Sequence, residues 1–387
     1  GDDIFAGRAV ALAAELAVSL NVALAARALR TGWTVAMLTA LTFLAFCVIY
    51  YNDAVAIDDP QWLGQAAQSC ALVLLLRRQA GMRTLALAAL FCLLGGLAKQ
   101  SLVCLPLAIT LWLAFEDRRL LLRWLIASAL LLALSLGALV AVYGRGFIDQ
   151  VLLSERGLWS AALLFVGRTL AVRIAPYAIF AAAGIWLDRQ SRGTRLLGIY
   201  LAVSLVVGIA LLAVDGVGYS VLFDATIAMM VGTGRLIQTL ADRLANTPAA
   251  RAGLALVLVL PLTLAGPGVQ NLHADIARGL AQRGAWQQAI DRLAAAQGPV
   301  ACEMLSLCYW AGRASAIEFF NFGQYARLHP GFAASAIARI GRGELAMIQE
   351  DGPSGSRRLP PAVNAAVSAA YAVAMSEPTT LLVPAAP

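Results

Sequence analysis

Residues 50–61 read YYNDAVAIDDPQ and separate two long apolar runs, Thr34 to Ile49 and Leu63 to Leu76. Asp53, Asp58 and Asp59 thus share one short connector in a chain that is 60% hydrophobic. What the flanking runs are decides the fold. Only 13% of the residues are charged, against about 25% in ordinary soluble domains. Apolar stretches of about 20 residues match the hydrocarbon thickness of a bilayer. The chain is therefore expected to be a polytopic membrane protein.

Working outward from the acidic connector, the candidate spans are 7–26, 33–51, 62–76, 84–98, 101–115, 121–143, 172–187, 196–214, 221–240 and 252–267. Arginines occupy every second connector: Arg27 and Arg30; Arg77, Arg78 and Arg83; Arg118, Arg119 and Arg123; Arg189, Arg192 and Arg195; Arg243 and Arg251. Positive residues stay on the cytoplasmic side. The alternate connectors, 52–61, 99–100, 144–171 and 215–220, are then outside, with everything after Gly268. The net charge of +7 follows from this topology. Scattered among loops, the arginines form no nucleic-acid footprint. Because the chain opens on Gly1 and Ala9 to Ala26 already reads as a span, it is expected to be an N-terminally truncated piece.

Composition changes at GPGVQNLHAD, residues 266–275. Two domains are expected, a membrane module over 1–267 and a small soluble α/β domain over 268–387. In the second, helical spacing runs through 269–296, and VACEMLSLCYW at 300–310 reads as a buried strand. A helix near 331–341, a strand at 345–350, a helix near 361–375 and an apolar LLV at 381–383 follow. Cys302 and Cys308 lie in this domain; five intervening residues need a turn or an offset strand before the sulfurs can bond. His273 and His329 stand far apart and no paired CxxC occurs, so no metal motif is present. The residues leave open whether a divalent cation takes part.

Asp59 before Pro60 is a good helix start, an N-cap followed by proline at the first helical position. Tyr50, Tyr51 and Trp62 suit the aromatic belt at a membrane surface. That structural reading stands beside a functional one, in which the carboxylates act at the bilayer surface as a general base or bind sugar hydroxyls. Lys99, in GGLAKQS, is the only lysine in the chain. A lone ammonium on the outer side either snorkels or faces a phosphate at headgroup level. Two acids lie within spans, Glu15 near a midpoint and Asp224 near an outer end, where carboxylates are costly and face a bundle interior. Within the 144–171 connector, LWSAALLFVGRTLAVR suits an interfacial helix or, equally, one packed laterally against the bundle.

The order of elements resembles the GT-C membrane glycosyltransferases, in particular bacterial relatives of the dolichyl-phosphate-mannose protein mannosyltransferases. The matching stretches are FAGRAVALAAELAV at 5–18, NDAVAIDDPQWLGQA at 52–66, GGLAKQSLVCLPLAITLWL at 95–113 and GVGYSVLFDATIAMM at 216–230. The resemblance implies a mainly α, polytopic transmembrane helical bundle with a small C-terminal extracytoplasmic α/β domain. It also implies transfer of a sugar from a polyprenyl-phosphate donor to a glycan, lipid or protein acceptor, with no nucleic acid involved. The family's catalytic carboxylate lies on its first outer loop, and that loop and the first span are expected to be missing from this piece. The catalytic candidates are then Asp58, Asp59 and Asp53. Lys99, Arg145, Arg168 and Asp224 are the candidates for binding substrate. The implied location is the inner membrane. A transporter or flippase for an envelope precursor is the competing reading, and a noncatalytic envelope assembly protein is a third.

Overall fold

The computed structural model describes residues 2–77, 81–144, 146–148, 156–158, 174–244, 248–352, 355–356 and 358–385. The chain divides into two compact units, one of residues 1–154 with 158–270 and the other of 155–157 with 271–387. The first unit is helical: α1 (Asp3–Ala28), α2 (Trp33–Tyr50), α3 (Gln61–Arg77), α4 (Met82–Ala98), α5 (Cys104–Glu116), α6 (Arg118–Tyr143), α7 (Ala175–Leu187), α8 (Arg192–Leu211), α9 (Phe223–Leu244) and α10 (Pro248–Ala281). Among the described residues, five stretches are long and apolar enough to cross a membrane: Asp3–Ala28, Trp33–Tyr50, Arg118–Tyr143, Arg192–Leu211 and Tyr219–Arg243. Shorter apolar helices, Met82–Ala98, Cys104–Glu116 and Ala175–Leu187, fill the bundle beside them. The expected span 252–267 falls inside α10, which continues without a break beyond position 268. The expected interfacial helix of the 144–171 connector falls largely outside the described residues.

Packing in this unit follows the rules of an apolar solvent, where small residues and interhelical hydrogen bonds replace hydrophobic collapse. α3 and α4 cross at a glycine pair: a Cβ on Gly64 or on Gly95 would stand 3.0 Å from the other's carbonyl oxygen. α7 and α9 approach as closely at Gly184 and Gly232, where a Cβ on Gly184 would collide with the Gly232 carbonyl. Asn21 of α1 donates to Ser69 of α3 (2.9 Å), and Ser19 donates to the carbonyl of Ala40 in α2 (3.0 Å). Against this core α6 lies on the outside. Trp124 is its one buried residue, and Leu122, Leu130 and Leu134 are exposed, as a lipid-facing helix requires.

The arginine-bearing end is tied by polar contacts between connectors. Arg195 grips Glu116 with two nitrogens (2.5 and 3.0 Å), and Arg235 and Thr194 converge on Asp188 (3.1 and 2.9 Å). Gln238 of α9 accepts from the Gly32 backbone (2.7 Å), which anchors the turn between α1 and α2.

The second unit carries α11 (Arg283–Ala295), β1 (Val300–Cys302), α12 (Leu305–Trp310), α13 (Phe319–Leu328), α14 (Pro330–Gly341), β2 (Met347–Glu350), α15 (Pro361–Ala370), β3 (Tyr371–Met375) and β4 (Thr380–Pro384). The sheet order is β1-β2-β4-β3, with β1 parallel to β2 and the other pairs antiparallel. Val300, Met347 and Leu381 face a core with Ala289 and Leu293 of α11, whereas Ala301, Ile348 and Leu382 face Ile340, Val363 and Val367. Both faces are covered, so β1 and β2 are buried along their whole length.

Two expectations are corrected here. The strand expected over 300–310 stops at Cys302. The chain turns at Glu303–Met304 into α12, and this turn brings Cys302 to Cys308, with Cα atoms 6.0 Å apart, to form a disulfide. The helix expected over 361–375 ends at Ala370, and Tyr371–Met375 pairs with β4 instead.

At the adjoining carboxyl ends of β1 and β2 lie two buried acids, Glu303 and Glu350. Glu303 accepts from Ser356 Oγ (2.7 Å) and from the Asp351 backbone (3.1 Å). Glu350 Oε1 has no hydrogen-bond partner. Burial first, and then the neighbouring Glu303 charge, push the Glu350 carboxyl up to about 7. A carboxyl raised on folding favours the folded state fully below its unfolded value of 4.5 and loses that contribution as pH rises through about 7. At about 1.4 kcal/mol per pH unit, the second unit is expected to lose roughly 3 kcal/mol between pH 4.5 and 7.5. Hydrogen exchange of the β1 and β2 amides, corrected for intrinsic rates, reads this loss. Glu350→Gln is expected to flatten it.

Candidate functional site

The acidic connector lies where α2 ends and α3 begins, at the end of the bundle opposite the arginines. After Tyr50 the chain makes one 3-10 turn, Asn52–Ala54. Trp62 Nε1 of α3 donates to the Ala54 carbonyl (2.8 Å), which pins the turn to the helix that follows it. The Trp62 ring stacks on Phe223 at 4.2 Å between centroids, and Phe223 in turn meets Tyr51 at 5.1 Å. These aromatics are buried. They form the floor on which the connector rests.

Two contacts with α1 shape the rest of the connector. Ala56 has φ of 50°, a left-handed conformation that alanine rarely adopts. Its backbone N–H donates to Glu15 Oε2 (3.3 Å), so the buried carboxylate of α1 has a partner in the connector. Asp58 packs over Gly7, where any Cβ would collide with its carboxylate. Glu15 therefore sits under the loop that its chemistry helps to fold.

Asp59 does two things. Its Oδ1 accepts from the Gln61 backbone (2.7 Å) at the start of α3, and both carboxylate oxygens accept from Lys99 Nζ (2.8 and 2.7 Å). Lys99 is the C-cap of α4, its N–H bonded to the Gly95 carbonyl (2.9 Å). The pair is about 30% exposed, at 29% for Lys99 and 31% for Asp59.

Asp59 and Lys99 line a cavity of about 200 Å³. Asp53 is on the same wall, and Tyr51, Trp62 and Phe223 bring aromatic surface to it. The other side is the connector before α9, with Gly216, Gly218, Tyr219 and Ser220. Gly216 has φ of 75°, which a side chain would strain. Gln61 also lines the cavity, and its Nε2 donates to the Ser220 carbonyl (3.2 Å), which joins the two sides.

The structure thus brings Asp53, Asp59 and Lys99 together. Asp58 belongs to the same connector but does not line the cavity. Asp224 is 1% exposed and lies in the core. Its Oδ1 accepts from Tyr200 OH (2.5 Å) and its Oδ2 from Gln65 Nε2 (3.0 Å). Arg145 and Arg168 lie outside the described residues. Sequence reasoning missed Gln61 and the 215–220 side of the cavity; glycines flanking Val217 and a glutamine directly after an Asp-Pro cap were the available signals. Among the described residues no three His, Cys, Asp or Glu side chains are placed to hold a metal ion. Asp53 and Asp59 are the carboxylates that a cation in the cavity would meet, and Asp59 is already engaged by an ammonium.

The fold is a polytopic helical bundle with membrane-span candidates and a small α/β tail. The crystal structure of ArnT from Cupriavidus metallidurans in the apo state has the same fold, with a TM-score of 0.60 and 15% identity over 97% of this chain and 83% of that one. No protein-family model and no curated protein matches the chain.

The two roles of Asp59 are separable. Asp59→Asn keeps an acceptor for the α3 backbone and loses the charge, while Asp59→Ala loses both. The alanine variant is expected to be less stable than the asparagine variant by about 1 kcal/mol, the usual worth of a cap. The partly exposed ion pair adds less than that. Thermal unfolding of both variants in detergent checks the order.

Proposed function

We propose that this protein is an integral-membrane glycosyltransferase that moves a sugar from a polyprenyl-phosphate carrier to an acceptor at the outer face of the inner membrane. The observation that carries this reading is the Lys99–Asp59 pair on the wall of a cavity at the outer end of the bundle. A single ammonium, held at headgroup depth and still part exposed, is suited to a lipid phosphate. The likeness in fold to ArnT supports the class. In this reading the second unit lies outside the cytoplasm, which agrees with the arginine-bearing connectors and with the Cys302–Cys308 bond, since disulfides persist in oxidising compartments.

The chemistry is a displacement at the anomeric carbon. The bond from that carbon to the phosphate oxygen breaks, and a bond to an acceptor hydroxyl oxygen forms. Negative charge grows on the departing lipid phosphate, and Lys99 stabilises it. Asp53, exposed in the cavity without a cationic partner among the described contacts, takes the proton of the acceptor hydroxyl. Asp59 holds Lys99 in place. Arg145 and Arg168 are assigned as further phosphate contacts, and Asp58 supports the connector. Asp224, bonded to Gln65 and Tyr200 in the core, takes no direct part in this scheme. Whether a hexose or a pentose is carried is set by the shape of the cavity around these groups.

The buried Asp224–Gln65–Tyr200 cluster favours the second reading, a transporter or flippase, because polar groups inside a bundle mark transport paths. Reconstitution separates the two. Proteoliposomes supplied with undecaprenyl-phosphate-linked sugars and envelope acceptors are expected to transfer label to the acceptor. Asp53→Asn and Lys99→Ala are each expected to lower transfer at least about 100-fold while the protein stays folded. Movement of the labelled lipid between leaflets with no transfer would instead establish the flippase reading.

A further inference from the structure

Three arginines occupy the first two turns of α6, Arg118, Arg119 and Arg123, and all three are exposed. Other arginines at this end are engaged within the protein: Arg195 on Glu116, Arg192 over the Trp112 ring, Arg189 over the Trp186 ring and Arg235 on Asp188. Among the described residues, the side chains of Arg118, Arg119 and Arg123 have no hydrogen bond, ion pair or ring contact. The two acids beside them are already committed. Glu116 accepts from Arg195 (2.5 and 3.0 Å), and Asp117 Oδ1 accepts from the backbone of Arg119 and Leu120 (2.8 and 3.1 Å) to start the helix. Like charges at i and i+4, here Arg119 and Arg123, repel each other, and cations at a helix N-terminus oppose the helix dipole. An anion from outside the protein would relieve both.

We propose that the start of α6 binds the headgroup of an anionic phospholipid, in the leaflet at the arginine-bearing end of the bundle. The rest of the helix provides for the lipid's chains. Spacings of three and four residues put Arg119, Arg123, Ile126, Leu130 and Leu134 on one stripe, and its three aliphatic members are 49%, 60% and 71% exposed. Trp124 lies on another face, where its Nε1 donates to Thr110 Oγ1 of α5 (2.9 Å); this bond holds the stripe outward. From Arg123 to Leu134 the helix rises about 16 Å, close to one leaflet of a hydrocarbon core roughly 30 Å thick. A phospholipid laid along the stripe therefore covers the aliphatic side chains and brings its phosphate to guanidiniums that no protein group holds. A guanidinium grips a phosphate through two parallel N–H donors. A zwitterionic lipid offers the same phosphate but sets its own cation beside the arginines, so net negative charge decides between them. The proposal is independent of the glycosyltransferase reading. It needs only that α6 faces lipid, as its length and composition allow.

The test uses the full chain, delipidated in an uncharged detergent, with thermal unfolding followed as lipid is added. Phosphatidylglycerol is expected to raise the midpoint and to bind about 10-fold more tightly than phosphatidylcholine at low salt. That preference is expected to shrink in about 0.5 M sodium chloride. The double variant Arg119→Gln, Arg123→Gln is expected to lose the preference while its binding of phosphatidylcholine is unchanged. Before lipid is added it is expected to unfold no earlier than the unaltered protein, because it sheds repulsion and no partner; earlier unfolding would mean that the arginines serve the fold, against the inference. The double variant Arg77→Gln, Arg83→Gln removes the same charge from two other exposed positions and is expected to keep the preference. An equal loss in both double variants reveals a diffuse field in place of a site and overturns the proposal. So does a preference that survives in the α6 variant, or its absence from the unaltered protein. Glycerol phosphate, a headgroup without chains, is expected to give no shift, and a shift as large as the lipid's sinks the role of the stripe. If the α6 double variant does not fold, Arg123→Gln alone decides the matter, with an expected loss of about 3-fold.

Discussion

Lys99 reaches Asp59 because α3 and α4 touch backbone to backbone at Gly64 and Gly95. A Cβ at either position would meet the other helix's carbonyl, and one at Gly95 would also meet the Gln68 side chain. Close approach is what lets Gln68 cap the Leu102 carbonyl and lets the chain turn at Lys99 with its ammonium directed at the start of α3. In lipid, where apolar surfaces gain nothing by leaving the solvent, such contact is the main source of helix adhesion. The candidate site is thus built from the same crossing that holds two of its helices together.

The acidic connector shows how burial and charge trade against each other. Asp58 rests on a glycine, Asp59 on a lysine and a helix start, and Asp53 faces the cavity. Below them Glu15 accepts from Ala56. A left-handed alanine is costly by about 1 kcal/mol or more, and the buried carboxylate offsets that cost by holding its N–H. Each acid in the segment thus has a different environment, although the sequence presents them as near neighbours of one type.

Much of the bundle was legible because apolar runs encode helices and alternating arginines mark the connectors that gather at one end. Lys99 was read as snorkelling or facing a phosphate, and the structure instead gives it Asp59 as a partner; Asp59 at the helix start could be expected from the proline that follows it. Gln61 could not be read in this way. A glutamine is informative only when its two ends meet different partners, and Ser220 is 159 positions away. Asp224 read as a candidate site residue because carboxylates in spans are rare, yet Tyr200 and Gln65 enclose it. In the second unit, VACEMLSLCYW is mostly apolar, so its period could not separate a strand from a helix; the turn at Glu303–Met304 is imposed by the tertiary packing and the disulfide. Tyr371–Met375 was read as helix because Ala and Val suit either state, and pairing with β4 decides it.

The double duty of Asp59 also sets a rule of inheritance. Serine, threonine or asparagine could begin α3 as well, but none of them would neutralise an ammonium. In other chains of this architecture, an uncharged residue in place of Lys99 would release position 59 to any of those alternatives. An ammonium at position 99, by contrast, would hold position 59 to a carboxylate short enough to bend back onto its own backbone. The two positions should therefore drift in one order only, the lysine first.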